Sequence, residues 1–348
     1  MRFRNLSKVL PFVISLLPIT SVFADDVNVV GSKEQTLNIH GNKSAAAKSA
    51  ESKKIIQLLR VELTPEAKAR LQREAKAITS TPVAKRSFSA LPSSTQLGMS
   101  NVPVLDQGQH GTCATFAVTA AIDARLNKGD YVSQLCYLQL GNYLQKNGLG
   151  LSGWDGEYTV NIINNITQYG VMNKSQQKSK GCGGLYEYPG NSKSPKSFIE
   201  PAAYQAMSEM VFGTAINWAE IPTLNSEAKF NEAKEAIASG DRLIFSVLLP
   251  RLDLGTAGAV GRHKNWFFPD SWILSPEVMA GIEDIEAAHA MVITGFDDNA
   301  IAQDSRGNKH KGLFKLRNSW GSDAGDYGEF YMSYDYFKLL AYNVKKVY

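Results

Sequence analysis

The stretch DQGQHGTCATFA, residues 106–117, places a cysteine at the start of an apolar run that has helical spacing. The unpaired N–H groups of a first helical turn and the helix dipole favour a thiolate at Cys113. Six residues earlier, Gln107 offers a side-chain amide that can donate a hydrogen bond to a developing oxyanion. Gly108 and Gly111 permit the tight path that folds this glutamine back. The stretch therefore makes Cys113 a candidate nucleophile at a helix start, and a small buried side chain or half of a disulfide are the alternatives for this cysteine taken alone.

A histidine and an asparagine on two later strands can complete such a site. His289 opens the strand pattern HAMVITGFDD, and Asn318 lies in the pattern GLFKLRNSW, residues 312–320. Antiparallel pairing of these strands brings Asn318 near His289, where its carbonyl can orient the imidazole. Trp320 would shield that hydrogen bond from water. The other histidines lie in polar loops or in the N-terminal region, and the turn around His310 predicts a solvated side chain: His40, His110, His263 and His310.

Together these motifs resemble the papain-like cysteine peptidase family. The matching text is Gln107-Gly108, then residues 111–114 (GTCA), then His289-Ala290, then residues 318–321 (NSWG). The resemblance covers residues 90–348. It implies an α+β, two-domain fold with a helical half, residues 110–212, and a β-rich half, residues 213–348, and with the active-site cleft between the two halves.

The resemblance also implies a peptidase that needs no cofactor and acts on a peptide or protein substrate. Cys113 would attack the peptide carbonyl, His289 would exchange protons with it, and Asn318 would orient His289. Gln107 would hold the oxyanion. Asp155-Gly156 resembles the place where the family's glycine pair binds the substrate backbone, and Trp320 would contribute to the same cleft: the substrate-binding candidates are Asp155, Gly156 and Trp320.

Three departures from the family pattern mark a divergent branch. Ala114 stands where the family usually has a tryptophan, and His110 stands where it usually has a cysteine. His110 is interpreted as a loop histidine, with a tuning role at the site as the alternative. His289 lies 176 residues after Cys113, which indicates an insertion. The candidate is Pro250–Asp284, and two interpretations stay open: it shapes or covers the cleft, or it is a surface elaboration.

The remaining cysteines, Cys136 and Cys182, resemble one family bridge within the helical half. An exported protein permits a disulfide between them, and two buried thiols are the alternative. No close group of cysteines and histidines suggests a metal site.

The N-terminal region divides into two parts. Residues 1–24 have a basic start, an apolar core and a small-residue cleavage site, which predict a signal peptide and export to a periplasm or outside the cell. Residues 25–90 are interpreted as an inhibitory pro-segment, with a solvated tail as the alternative. Its text predicts a hairpin within residues 28–43 and a helix within residues 63–78, capped by Thr64.

Charge supports the interpretation of residues 25–90 as a pro-segment. Residues 25–86 contain 12 basic and 7 acidic residues, a net charge of +5, whereas residues 87–348 contain 22 basic and 26 acidic residues, a net charge of −4. A basic pro-segment would therefore lie on an acidic enzyme, and activation would cut the linker between residues 85 and 92.

Composition excludes some classes of protein and leaves others open. Without residues 1–24 the chain has 34 basic and 33 acidic residues, which gives no reason to expect a nucleic-acid partner. No later apolar run reaches the length of a membrane span. Two alternatives to a peptidase remain: another Cys–His acyl-transfer enzyme, such as a cell-wall amidase or a transglutaminase-like protein, and a non-catalytic binding protein on a peptidase scaffold.

Overall fold

The computed structural model describes residues 26–40, 51–80, 91–222 and 225–348. The predicted signal peptide and the linker at residues 81–90, which contains most of the predicted activation segment, lie outside these ranges. In the described ranges, no helix is both long enough and apolar enough to cross a bilayer.

The helical half is built around one buried helix, α2 (Cys113–Leu126). Every residue of α2 from Cys113 to Ala124 is buried, because other helices cover one side and the sheet covers the other. The surrounding helices are α3 (Gln134–Lys146), α4 (Thr159–Tyr169), α5 (Lys174–Lys180) and α6 (Pro201–Gln205).

The β-rich half is a mainly antiparallel sheet with helices packed at its edges. Its strands are β3 (Ser94–Gln96), β4 (Trp218–Ile221), β5 (Arg242–Leu248), β6 (Ser271–Trp272), β7 (Ala287–Gln303), β8 (Lys309–Arg317), β9 (Glu329–Ser333) and β10 (Ala341–Val347). Its helices are α7 (Ser226–Ala238), α8 (Pro276–Ala280) and α9 (Tyr334–Leu340). Among the described strands the main path runs β4-β10-β5-β7-β8-β9-β6, and β3 pairs separately with β7.

Strand β7 joins the two halves. Its first part pairs with β5 and contacts α2, and its later part pairs antiparallel with β8. Ile293 lies opposite Leu316, so the predicted antiparallel pairing of the His289 and Asn318 strands is confirmed. The predicted α+β arrangement of a helical half and a β-rich half is confirmed as well.

The N-terminal region forms a long hairpin followed by a helix. The hairpin pairs β1 (Val27–His40) with β2 (Glu51–Leu63), and α1 (Pro65–Ser80) follows directly. The Thr64 hydroxyl accepts a hydrogen bond from the Ala67 N–H at 3.2 Å, as the predicted helix cap requires.

The predicted extent of the hairpin was wrong. Residues 28–40 form one strand rather than two, and its partner β2 was missed. Four apolar side chains of β2 are 2% exposed or less: Ile56, Leu58, Leu59 and Val61. From Leu59 to Leu63 buried apolar residues alternate with exposed Arg60 and Glu62, so part of the strand pattern is present, but Leu58 and Leu59 are both buried and interrupt the alternation along the strand.

The hairpin extends the sheet of the β-rich half. Leu59 and Arg60 of β2 lie opposite Ala288 and Ala287 of β7, immediately before His289. The N-terminal region therefore reaches the centre of the predicted site through backbone pairing, a common mode of peptide recognition.

Candidate active site

Cys113 lies at the first position of α2, as predicted, and its side chain is fully buried. Backbone N–H groups of Cys113, Ala114 and Ala290 face the thiol and lower its pKa, but desolvation outweighs them and raises the pKa to about 12. The expected thiolate is therefore disfavoured in this covered state, because burial removes the water that would solvate the charge.

The structure brings His289 and Asn318 together. The His289 Nε2 and the Asn318 Oδ1 are 2.8 Å apart, and Trp320 stacks on the imidazole with ring centroids 4.6 Å apart. Since the Asn318 carbonyl only accepts, the Nε2 carries the proton, and the lone pair is left on Nδ1. This is the tautomer that can accept a proton from a thiol.

Burial also keeps His289 neutral. Its side chain is fully buried, and desolvation lowers its pKa to about 4, although the hydrogen bond to Asn318 opposes this shift. The Nδ1 makes no hydrogen bond to any described residue, Cys113 included. Thiol and imidazole are thus both uncharged in this buried site and are not hydrogen-bonded to each other.

Gln107 is held in a fixed orientation by a residue that the sequence analysis missed. The Ser319 hydroxyl donates to the Gln107 Oε1 at 2.8 Å, and the Gln107 N–H donates to the Ser319 carbonyl, also at 2.8 Å. The side-chain amide nitrogen is then left to point towards the cleft. Ser319 lay inside the NSWG motif, but only the tertiary contact shows its role.

The hairpin occupies the place where the Gln107 side chain would bind the carbonyl oxygen of a substrate. The Gln107 Nε2 donates to the backbone carbonyl of Gln57 in β2 at 2.8 Å, and to the His110 carbonyl at 2.9 Å. A backbone carbonyl of the N-terminal region therefore already accepts a hydrogen bond from the predicted oxyanion donor.

The substrate-binding candidates fall in different environments. Gly156 lies under the hairpin: a Cβ there would be 2.9 Å from a Val29 methyl carbon and 3.2 Å from a Leu59 methyl carbon. Asp155, beside it, is exposed. Trp320 is fully buried against His289 and makes its cleft contact through its backbone carbonyl, which accepts from Lys54 at 2.8 Å. Trp320 therefore acts as the predicted shield.

The insertion Pro250–Asp284 combines both interpretations that the sequence left open. Trp272 is fully buried and packs on Trp320, with ring centroids 6.1 Å apart, so this segment supports the site from behind. Its Leu252 carbonyl accepts a hydrogen bond from the Gln35 side chain of the hairpin at 3.3 Å. Trp266 at its tip is 64% exposed and belongs to the surface.

Other predicted residues serve the framework. The disulfide between Cys136 and Cys182 is confirmed and leaves Cys113 as the free thiol among the three cysteines of the chain. His110 is buried, and its Nε2 bonds the Pro189 carbonyl at 2.7 Å, so it ties two loops together. His310 was predicted to be solvated, but its side chain is 22% exposed and lies on β8, where its Nε2 is 3.9 Å from Asp304.

No cluster of three or more potential metal ligands occurs in the described part of the chain.

A comparison of the sequence with protein-family models finds a match within the β-rich half. Residues 281–347 match the model of the Peptidase C1-like family. The matched segment contains His289 and Asn318 but not Cys113. No curated protein matches the chain.

Several solved structures are similar to this one. Xylellain, a cysteine protease from Xylella fastidiosa, is 19% identical, with 77% of this chain and 90% of that chain covered and a TM-score of 0.46. Digestive procathepsin L 3 of the Tenebrio molitor larval midgut is 17% identical, with 76% and 73% covered and a TM-score of 0.46. The proform of the ragweed pollen cysteine protease Amb a 11 is 15% identical, with 79% and 71% covered and a TM-score of 0.44.

The family match and the geometry of the site agree. A buried cysteine lies at a helix start with its thiol against the backbone N–H of Ala290, the residue after His289, and His289 is hydrogen-bonded to Asn318. The family match includes His289 and Asn318. The similarity to the Peptidase C1-like family is thus shown for residues 281–347, the segment that contains His289 and Asn318.

Proposed function

We propose that this protein is an exported cysteine peptidase, made as a zymogen, that hydrolyses peptide bonds through Cys113, His289 and Asn318. The hairpin of β1 and β2, with α1, would be its inhibitory pro-segment. One observation carries the proposal: the Gln57 carbonyl of β2 accepts a hydrogen bond from the Gln107 side chain, beside the buried Cys113.

The geometry supports a defined sequence of proton transfers. Once the site is uncovered, the His289 Nδ1 takes the Cys113 proton, and the thiolate attacks the substrate carbonyl carbon. The Gln107 Nε2 and the Cys113 backbone N–H stabilise the oxyanion. His289 returns the proton to the leaving amine, and water then attacks the thioester, with His289 accepting the proton of the water.

Two features of the hairpin favour inhibition over cleavage. Strand β2 is paired with β1 at Gln57, which lies opposite Glu34, and it is also anchored to β7 two residues later, where Leu59 lies opposite Ala288. The Gln57 carbonyl is thereby held in a backbone that resists the change to a tetrahedral carbon. Cys113 and His289 are fully buried next to the hairpin, and this burial keeps both groups neutral.

Complementary charge supports docking of this basic segment on an acidic enzyme. Lys33 pairs with Glu286, and Lys54 pairs with Asp106 and Asp323. In each of these three ion pairs the hairpin supplies the lysine and the rest of the chain supplies the carboxylate. Salt would weaken these contacts by screening them.

Export is proposed from two independent features. The text of residues 1–24 is typical of a signal peptide. The disulfide between Cys136 and Cys182 suits an oxidising compartment, such as a periplasm or the cell exterior.

The test uses residues 25–348 and a Cys113→Ala version of the same chain. Each is incubated with a mixed peptide pool in mild reductant at several pH values, and the products are identified by mass spectrometry. We expect cuts in the pool that depend on Cys113 and a precursor shortened between residues 85 and 92.

Two results would contradict the proposal. Equal cleavage by the Cys113→Ala protein would remove Cys113 as the nucleophile. A precursor that is cut in the linker but hydrolyses no peptide would favour acyl transfer to an acceptor other than water, or a binding role. Peptide products that carry an added amine would identify acyl transfer.

Ser319 provides a prediction about orientation. Ser319→Ala removes the donor to the Gln107 Oε1, so the amide loses its fixed direction towards the oxyanion. We expect kcat to fall about tenfold with KM nearly unchanged, because the lost interaction stabilises the transition state. An unchanged kcat in steady-state assays of the processed enzyme, with an unchanged Tm, would contradict this role.

A further inference from the structure

A lysine of the hairpin sits in a site made of three oxygen acceptors. The Lys54 Nζ lies 2.6 Å from the Asp106 Oδ2, 2.8 Å from the Trp320 carbonyl oxygen and 3.3 Å from the Asp323 Oδ1. The Lys54 side chain is 16% exposed although it carries a charge. The hairpin thus places an ammonium group among three oxygen atoms of the peptidase domain that can accept its hydrogen bonds.

Gly321 makes the room for this ammonium. A Cβ at residue 321 would lie 2.8 Å from both the Lys54 Nζ and the Asp323 Oδ1, and 2.9 Å from the Asp106 Oδ2. Gly321 also has φ +79°, which side chains other than glycine rarely adopt. The site is therefore a shaped pocket, which we call the cation pocket: Asp106, Asp323, the Trp320 carbonyl and Gly321.

The cation pocket lies on the leaving-group side of the reaction centre. His289 must protonate the leaving amine, so the part of a substrate that follows the scissile bond lies beside His289. Trp320 stacks on His289 and supplies its own carbonyl to the pocket. Strand β2 passes Leu59 beside Gly156 on the opposite side. Lys54 thus reaches the side from which the leaving amine departs.

The other hairpin lysine that contacts the enzyme differs from Lys54. Lys33 pairs with Glu286 alone, and these side chains are 32% and 62% exposed, whereas Lys54 is 16%, Asp323 28% and Asp106 46% exposed. Such a pair at the rim supplies attraction without a defined pocket. Only the Lys54 contact combines two carboxylates, a carbonyl and a glycine floor among the hairpin ion pairs in the described ranges.

We propose that, when the hairpin leaves, the cation pocket selects peptide substrates with a lysine or arginine side chain on the C-terminal side of the scissile bond. Lys54 is then a built-in substitute for that side chain. This inference rests on the proposed peptidase activity. It adds the substrate class, which the catalytic residues themselves do not specify.

The first experiment measures selectivity in the processed enzyme. Peptide pairs cleaved in the pool are resynthesised with lysine or norleucine at the first or second position after the scissile bond. We expect kcat/KM to be about tenfold higher for the better-placed lysine peptide. Asp323→Asn should remove most of this preference and leave the norleucine peptide unchanged. Asp323 is chosen because Asp106 also accepts the Gly108 N–H and so shapes the oxyanion loop.

The second experiment needs no peptidase activity. In the full precursor, Lys54→Met should speed alkylation of Cys113 several-fold, because the hairpin loses its contacts in the cation pocket and opens more often. The matched control is Lys53→Met, which removes the same charge from an exposed neighbouring side chain and should leave the rate unchanged.

The two experiments separate the possible failures. Cleavage of norleucine peptides without any preference for lysine, or a preference that survives Asp323→Asn, overturns the inference while the peptidase function stands. Equal alkylation rates in the Lys54→Met and Lys53→Met precursors overturn it as well. If neither peptide is cleaved, the proposed function fails, and the alkylation rates still decide whether the pocket holds the lysine.

Discussion

Replacing His289 by alanine should reduce kcat of the processed enzyme by about 10⁴-fold. The thiol of Cys113 then lacks its proton acceptor, and the leaving amine lacks its proton donor. Both the attack of the thiolate and the departure of the amine therefore become slower. Wild-type and variant precursors would be processed in parallel by trypsin, for which the linker offers Lys85 and Arg86, and assayed on the same peptide.

A control distinguishes the loss of proton transfer from the loss of structure. The pH dependence of Cys113 alkylation reports its thiolate fraction, which His289 should extend to acidic pH in the processed enzyme. In the His289→Ala variant this profile should move towards that of a free thiol, near ~8.5. A variant that keeps more than a tenth of the wild-type kcat would contradict the assignment of His289.

The second large effect concerns the reactivity of Cys113 in the precursor, in which the hairpin is still present. Cys113 should react with iodoacetamide at least about 100-fold faster in the processed enzyme than in the precursor, at any pH between 5 and 9. In the precursor, burial raises the pKa of Cys113 to about 12 and lowers that of His289 to about 4, so neither group is charged across this range. A thiol a few pH units below its pKa contains only about one thiolate in a thousand.

The sign of the pH dependence follows from these values. Because the pKa of Cys113 is raised in the precursor, its alkylation rate should keep rising with pH throughout the range. In the processed enzyme, the exposed pair should form thiolate and imidazolium, and the rate should reach a plateau near neutral pH. The remaining cysteines are joined in the disulfide, so labelling reports Cys113. Equal rates in precursor and processed enzyme would show that the hairpin does not protect the site.

Local patterns were enough to locate the candidate catalytic residues in the fold. An apolar run with helical spacing placed Cys113 at a helix start, and two alternating patterns placed His289 on β7 and Asn318 next to the end of its antiparallel partner β8, where the structure has it one residue beyond Arg317. Thr64 and Pro65 likewise marked the start of α1. These predictions succeeded because capping and side-chain periodicity act between residues that are close in the chain.

Contacts between distant segments decided the rest. The pairing of β2 with β7, the hydrogen bond from Gln107 to the Gln57 carbonyl and the contact of Lys54 with Asp323 join residues far apart in the chain, and no local pattern encodes them. Burial also disfavours the thiolate that the sequence predicted at Cys113. The sequence by itself determined which side chains can perform the chemistry. The tertiary structure decided their protonation and which segment occupies the cleft, because desolvation and strand pairing depend on what packs above the site.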